Sequence, residues 1–389
     1  MNILFLEWGC FGKVDVVFTL EQQGHKMFFF EHPDYLQRIS PDFEAAFDAF
    51  VEENQIELCF SFNFYPVLSA AAKKHNLDYI SIVYDSPFVM LYSYTIINDN
   101  NYVFLFDRQE YYKLRNMGIT TVYYMPLPVN ATIIDYLLTK EYDQQKLSAD
   151  VSFVGALYHE DHNFFSKLEG ISDYTRGYLE GIMNAQLQVS GYNFIEETLP
   201  KEIIDDMQRI VKYDNSKYGI ETPEYIFANY FINRRLTAIE RRKLLTAAAE
   251  CAKLRLYTLD KKAVIPNAQN MGAVDYYSEM PYVFHNSKIN LNITLRSIQS
   301  GIPLRCMDIM GAGGFLLTNF QADFLDDFVP GADFVYFEDA KDLVRKIDYY
   351  LTHEQERIEI AHNGHEKVKN NHSFERCFED IFKILSQKR

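Results

Sequence analysis

The chain has 389 residues, 48% hydrophobic and 15% aromatic, with a formal net charge of −16. That length fits two domains of ordinary size, and the apolar content excludes a disordered chain. The acidic balance argues against a nucleic-acid binder and against a purely electrostatic hold on anionic lipid.

An anionic small molecule stays open, because a few local arginines can dominate a site. Five cysteines, none in a C-x-x-C pair, argue against a disulfide framework and for a reducing, cytoplasmic setting. No apolar run reaches the ~18 residues of a membrane span. The start, MNILFLEWG, lacks a basic n-region and reads as a first strand rather than a signal peptide.

Residues 2–7 predict a strand, followed by the loop EWGCFGK. A helix over 14–23 and a strand over 26–31 complete one βαβ unit. Gly9, Phe11 and Gly12 lie where a doubly wound fold places a ligand loop, or form a plain tight turn. A helix over 42–54, a strand over 56–62, a helix near 66–76 and a strand over 79–87 follow. That strand ends in Asp85-Ser86-Pro87, an acid placed for chemistry or for capping a turn. A strand over 103–108, a helix over 109–117 and a strand over 121–128 complete a Rossmann-like domain.

Residues 129–149 read as a polar, helical connection. The alternation restarts with a strand reaching Gly155, followed by a ligand-type loop that holds Tyr158, His159 and His162. Residues 163–250 show helical periodicity without clear strands. Strands are predicted at 254–259, 272–276, 289–293, 315–319 and 334–339, with a short helix at 278–286 carrying His285. Helices over 340–352, 354–370 and 374–387 close the chain.

The densest stretch is 289–319, INLNITLRSIQSGIPLRCMDIMGAGGFLLTN. It reads as strand, polar loop, short helix, glycine turn and strand. Parallel sheets bind phosphorylated ligands outside such a strand end, against a helix N-terminus. Gly301 permits close backbone approach, Pro303 suits the first helical position, and Arg296 and Arg305 can clamp phosphate. Pattern alone fits binding proteins, sugar-nucleotide epimerases and glycosyltransferases alike.

Three stretches carry a resemblance. EWGCFGKVD (7–15), and YISIVYDSP (79–87) with VFLFDRQEYYKLRNMGITTVYYMPLP (103–128), resemble the N-terminal domain of CgeB-like (spore maturation protein) glycosyltransferases. Residues 289–319 resemble the donor-binding region that this family shares with group-1 glycosyltransferases. The resemblance implies an α/β, GT-B fold, two Rossmann-like domains facing a cleft. These are an acceptor-side domain, 1–135, and a donor domain, 150–370, in which 163–250 is mostly helical. A C-terminal helix, 371–389, crosses back to the first domain.

The resemblance further implies that Asp308 binds the donor ribose and that Ser300, Gly301 and Ile302 lie against the diphosphate. Arg296 and Arg305 would meet leaving-group charge. Gly155 would mark the first donor-domain strand end, and Gly272, Ala273, Val274 and Met280 would line the nucleobase pocket. Eight residues before Asp308, where group-1 enzymes carry a second acid, stands Ser300. The implied reaction is metal-independent hexosyl transfer from a nucleotide-sugar, a UDP-sugar first, with no cofactor. The acceptor would be a glycan, a protein or a lipid-linked molecule in surface, flagellar or spore glycan formation. Asp85 and Asp15 are the candidate catalytic acids, with Glu7 and Asp107 as rivals. A catalytically silent GT-B binding protein and a sugar-nucleotide epimerase are the alternatives.

Overall fold

The computed structural model describes residues 1–159, 164–213 and 217–388. The chain forms two compact units. The first holds 1–127, 217–222 and 374–388. The second holds 128–213 and 223–373. Among the described residues no helix is long and apolar enough to cross a membrane.

The first unit is built on β1 (Asn2–Leu6), β2 (Lys26–Phe30), β3 (Leu58–Phe62), β4 (Asp78–Val83), β5 (Asn101–Leu105) and β6 (Val122–Tyr124). They pair all in parallel in the order β2-β1-β3-β4-β5-β6. Every residue of β3 and β5 is buried, as expected where helices cover both faces of a parallel sheet. The helix Pro41–Asn54 shows how local chemistry sets such elements. Ser40 accepts from the Phe43 amide, Pro41 opens the first turn, and Phe43, Phe47 and Val51 repeat at four-residue spacing on the buried face.

Two later pieces of chain complete this unit. Residues 217–222 pair with 92–94 through Tyr94 N–H to Tyr218 carbonyl (3.2 Å) and Ile220 N–H to Tyr92 carbonyl (2.8 Å). A largely buried ion pair, Arg38 to Glu221 at 2.9 Å, pins them. The helix Phe374–Lys388 sets Phe378 against Phe60 and Phe382 against His25.

The second unit is built on β7 (Ala149–Val154), β8 (Leu254–Tyr257), β9 (Gln269–Asn270), β10 (Ser287–Asn292), β11 (Leu316–Asn319) and β12 (Val335–Phe337). Their order is β12-β11-β10-β7-β8-β9, again all parallel. Ile289, Leu291 and Ile293 face one apolar core with Phe153 and Leu317. Met307, Ile309 and Leu316 belong to the other. Central β10 also carries Asn290, which accepts from Ser152 Oγ (2.7 Å) and donates to the Phe284 carbonyl (2.9 Å).

The described part of 163–250 is helical, with Asp173–Gln186, Lys201–Ile210 and the long Asn233–Cys251. Residues 217–222 are the exception, since they pair in the first unit. The strand expected at 272–276 is instead the two-residue β9, because Gly272 at φ +79° turns the chain out of extended geometry. The connection expected at 129–149 holds only the helix Ala131–Leu137, and it lies within the second unit. Pro303 stands one residue before the helix Leu304–Gly311 and gives it no side-chain cap, instead of occupying its first position.

Candidate functional site

Several predicted nucleotide-side residues meet on one face of the second unit. The loop after β10 leads into the helix Leu304–Gly311, whose first turn has no side-chain cap. Within that turn the Cys306 amide donates to the Pro303 carbonyl (2.9 Å), and the helix start carries the partial positive charge of its dipole. Asp308 sits on this helix, 6% exposed. Its Oδ1 accepts from the Tyr276 hydroxyl at 2.9 Å, and its Oδ2 faces Arg305 Nη1 at 3.2 Å.

Burial pushes the Asp308 carboxyl up to about 6, while the Arg305 charge and the Tyr276 hydrogen bond oppose the shift. Arg305 also contacts Met280 Sδ and lies 5.6 Å over the Phe284 ring. Met280 is buried, and Val274 and Tyr276 pack against the same core. Gly272 hydrogen-bonds through its amide to Asn270 Oδ1 (2.9 Å), and Ala273 is exposed beside it.

Ser300, Gly301 and Ile302 are buried. The Gly301 carbonyl accepts from Gln321 Nε2 (3.0 Å), and the Ser300 carbonyl accepts from the Asp323 amide (3.0 Å). The turn after β11 thus fixes the stretch expected at the diphosphate. Arg296 is turned elsewhere. It makes a two-pronged ion pair with Glu240 (2.8 and 2.6 Å) and donates to the Val189 carbonyl (2.9 Å). Its own carbonyl accepts from Asn193 Nδ2 (2.6 Å). Arg305 and Arg296 therefore do different things. The first stands beside Asp308, and the second fastens the loop to the helical segment.

The Gly155 amide donates to the Tyr257 carbonyl (3.0 Å). Close by lies Arg241, which the sequence reading missed. Buried to 8% exposure, it donates to the carbonyls of Ile293 (3.0 and 2.5 Å) and Ala156, tying the ends of β10 and β7 together. Tyr158 lies under its guanidinium at 4.8 Å. A signal existed, since Arg241 falls on the buried stripe of its helix with Leu244, Leu245 and Ala248. His159 pairs with Asp260 (3.2 Å), and His285 Nδ1 is 3.0 Å from the Ala312 carbonyl. His162 lies outside the described residues.

In the first unit, Asp85 and Asp107 sit beyond strand ends with different surroundings. Asp85, beyond β4, is exposed, and its Oδ2 accepts from Asn63 Nδ2 at 2.7 Å. Asn63 Oδ1 in turn receives the amides of Tyr84 and Asp85, each at 3.2 Å. Asn63 was not foreseen. It takes a left-handed backbone, φ +59°, which asparagine tolerates. Asp107 is 2% exposed and caps the helix Arg108–Asn116 through the Gln109 amide (3.1 Å). Asp85 and Asp107 border the same small depression with Ser86, Phe88 and Glu110.

Asp15 is buried in the first turn of the helix Lys13–Gln22, and Glu7 is paired with Lys13. Gly9 and Gly12 both have positive φ, and a Cβ on Gly12 would come within 2.8 Å of the Phe62 ring. Packing therefore excludes a side chain at Gly12, whereas nothing lies within 4 Å of a Cβ added at Gly9. Phe11 is exposed at its tip. Trp8 donates to the Phe62 carbonyl (3.1 Å) and lies among Tyr35, Tyr65 and Tyr84.

Two all-parallel six-stranded sheets, each with surrounding helices, define an α/β protein of the GT-B fold. Residues 234–383 match the family model described as glycosyl transferase-like. The chain is similar to sucrose-phosphate synthase from Thermosynechococcus elongatus, at TM-score 0.57 and 11% identity over 100% of this chain and 98% of that one. It is similar to a glycosyltransferase from Rickettsia africae, at TM-score 0.55 and 11% identity over 100% and 98%. It is also similar to Anabaena HepE in complex with UDP and glucose, at TM-score 0.55 and 10% identity over 100% of both chains. No curated protein matches the sequence.

Proposed function

We propose that the chain is a metal-independent glycosyltransferase of the CgeB-like type, moving a hexosyl group from a UDP-sugar to an acceptor hydroxyl. The observation that carries this reading is the buried Asp308 carboxylate, held by Tyr276 and Arg305 beside an uncapped helix start. An ionised carboxylate is acceptor-only and suits the two hydroxyls of a ribose. Arg305 and the helix N-terminus supply positive charge for a departing diphosphate. HepE complexes with UDP and with UDP-glucose support uridine diphosphate as the carrier.

In the transfer, the bond from the sugar's anomeric carbon to the diphosphate oxygen breaks and a bond to the acceptor oxygen forms. The acceptor proton passes to a base. Asp85 is our candidate for that base, with its carboxylate oriented by Asn63, and Asp15 is its rival. Formation of a surface, flagellar or spore glycan is the setting implied by the CgeB-like resemblance. A second reading, a nucleotide-binding protein without transfer, is favoured by one observation. Buried Ser300 stands where related enzymes carry a second acid.

Thermal unfolding with nucleoside diphosphates, joined to donor-hydrolysis and transfer assays with and without chelator, tests the proposal. UDP at a thousandfold excess over its Kd should stabilise the protein by about 4 kcal/mol. Asp308→Ala should remove that gain, and chelator should leave turnover unchanged. UDP binding with neither donor hydrolysis nor transfer selects the second reading. No response to any nucleotide overturns both.

A further inference from the structure

The second unit holds another cavity, of about 200 Å³, walled by loop 187–193, the helix Asn233–Cys251 and the carboxyl ends of β10, β11 and β12. None of Tyr276, Met280, Arg305 or Asp308 lines it. We propose that this cavity binds a neutral, polyhydroxylated ligand of monosaccharide size.

Size narrows the ligand first. At ~30 Å³ per liquid water the space holds about seven waters. That is room for one sugar ring, and it lies below the roughly 300–1,000 Å³ of pockets that take drug-sized molecules.

Charge narrows it next. The lining has three acids, Glu240, Glu338 and Asp339, against two cations, Lys243 and Arg296. Arg296 already spends its guanidinium on Glu240 and the Val189 carbonyl. A phosphate or carboxylate would meet a net negative wall. A hydroxyl both donates and accepts, so it can use an acid and an ammonium in turn. Phe320 brings an aromatic ring to the cavity lining, beside Gly191, where an added Cβ would stand 3.4 Å from that ring, and aromatic carbon suits sugar C–H groups.

The walls are also fastened to one another. Arg296 joins its loop to Glu240 and to residue 189, and Asn193 holds the Arg296 carbonyl. Asn319 Oδ1 accepts from the Thr294 amide at 2.7 Å. A preformed polar cavity loses little freedom when a small ligand enters, which favours binding of a weakly interacting sugar.

The test uses the full chain and ligand-observed NMR with calorimetry. The probes are glucose, galactose, mannose, N-acetylglucosamine and inositol, with glucose 6-phosphate as the charged control. At least one neutral probe should bind, and at least tenfold more tightly than the phosphate ester. Phe320→Ala should weaken it at least tenfold, and Asp308→Asn should change it less than twofold. Should Phe320→Ala misfold, exposed Lys243→Trp, which blocks the cavity, takes its place with the same expected loss. The inference is overturned if no neutral probe binds, if the phosphate ester binds as tightly, or if both cavity variants bind as wild type. It is also overturned if Asp308→Asn abolishes sugar binding, which would put the sugar on the nucleotide side. UDP affinity in the same samples reads the transferase proposal separately.

Discussion

Tyr276 donates its hydroxyl to Asp308 Oδ1 at 2.9 Å, joining the loop after β9 to the helix that follows β10. The bond spans 32 residues of sequence, and it gives a buried carboxyl one neutral and, with Arg305, one charged partner. Neither partner fully offsets the burial, and the carboxyl titrates near 6 rather than near its ordinary 3.8.

The first prediction is a pH dependence with opposite signs for stability and binding. A raised carboxyl pKa means that the folded state holds a proton more tightly than the unfolded state. The stability from this group is complete below pH 3.8 and is lost as pH rises through about 6. Between pH 5 and 7 the loss is about 1.4 kcal/mol. UDP, binding the carboxylate, should do the reverse. Its affinity is level above pH 7 and falls toward tenfold per unit below 6. Unfolding scans with and without UDP, on wild type and Asp308→Asn, check both. The variant should lose most of its UDP affinity and show neither trend.

Tyr276→Phe tests the hydrogen bond itself. Without the hydroxyl, one of the two influences that hold the Asp308 carboxyl down is gone, so the midpoint of UDP binding should move to higher pH. Affinity at pH 7 should fall by a factor of about 10, the worth of a hydrogen bond to a charged group. An unmoved midpoint would show that the bond does not set the titration.

Much of this arrangement was legible in the sequence, and the boundary is physical. Parallel strands buried on both faces, such as Leu58–Phe62 and Ser287–Asn292, announce themselves as apolar runs or alternations. Asp308 was singled out by its place in a motif. Tyr276 was not, because its role depends on a turn at Gly272 that no periodicity reports. Arg296 and Arg305 look alike as residues near a glycine loop. Only the packing of the helix Asn233–Cys251 shows that Glu240 holds the first of them. Residues 217–222, within a helical stretch of the second unit, pair in the first. Their anchor Glu221 meets Arg38, a partner so distant along the chain that no local pattern connects the two.

The Arg296–Glu240 pair should behave as structure. Both side chains are mostly covered and doubly bonded. Arg296→Met and Glu240→Gln should each destabilise by about 2 kcal/mol, and the double-mutant cycle should show a coupling of about 1–2 kcal/mol. UDP affinity, measured well below the Tm of each variant, should change little in either. A loss of UDP binding equal to that in Arg305→Met would return Arg296 to the diphosphate.

Asp85 and Asp107 separate by readout. Asp85→Asn should cut transfer by about 10²–10⁴-fold while UDP affinity stays within twofold, the pattern of a lost general base. Asn63→Ala should lower transfer less, since it frees the carboxylate without removing it. Asp107→Ala should cost about 1 kcal/mol of stability through its helix cap. Full transfer by Asp85→Asn would pass the role to Asp15.

The glycine turn after Leu304–Gly311 supplies the last test. Gly314 is not needed for its backbone angles. A Cβ there would meet Asn290 Nδ2 and the Phe284 carbonyl at 2.6 Å each and the Ile309 carbonyl at 3.0 Å. Two of those atoms form the hydrogen bond that seats β10 against the helix Met280–Asn286. Neither can retreat without breaking it. Gly314→Ala should therefore cost about 3 kcal/mol or more and lower Tm by roughly 6–12 °C. Gly331 is the contrast, at φ +79° with nothing within 4 Å of an added Cβ. Gly331→Ala meets only the left-handed backbone penalty, about 1 kcal/mol. Equal losses in the two variants would mean that Asn290 does not hold β10 in register.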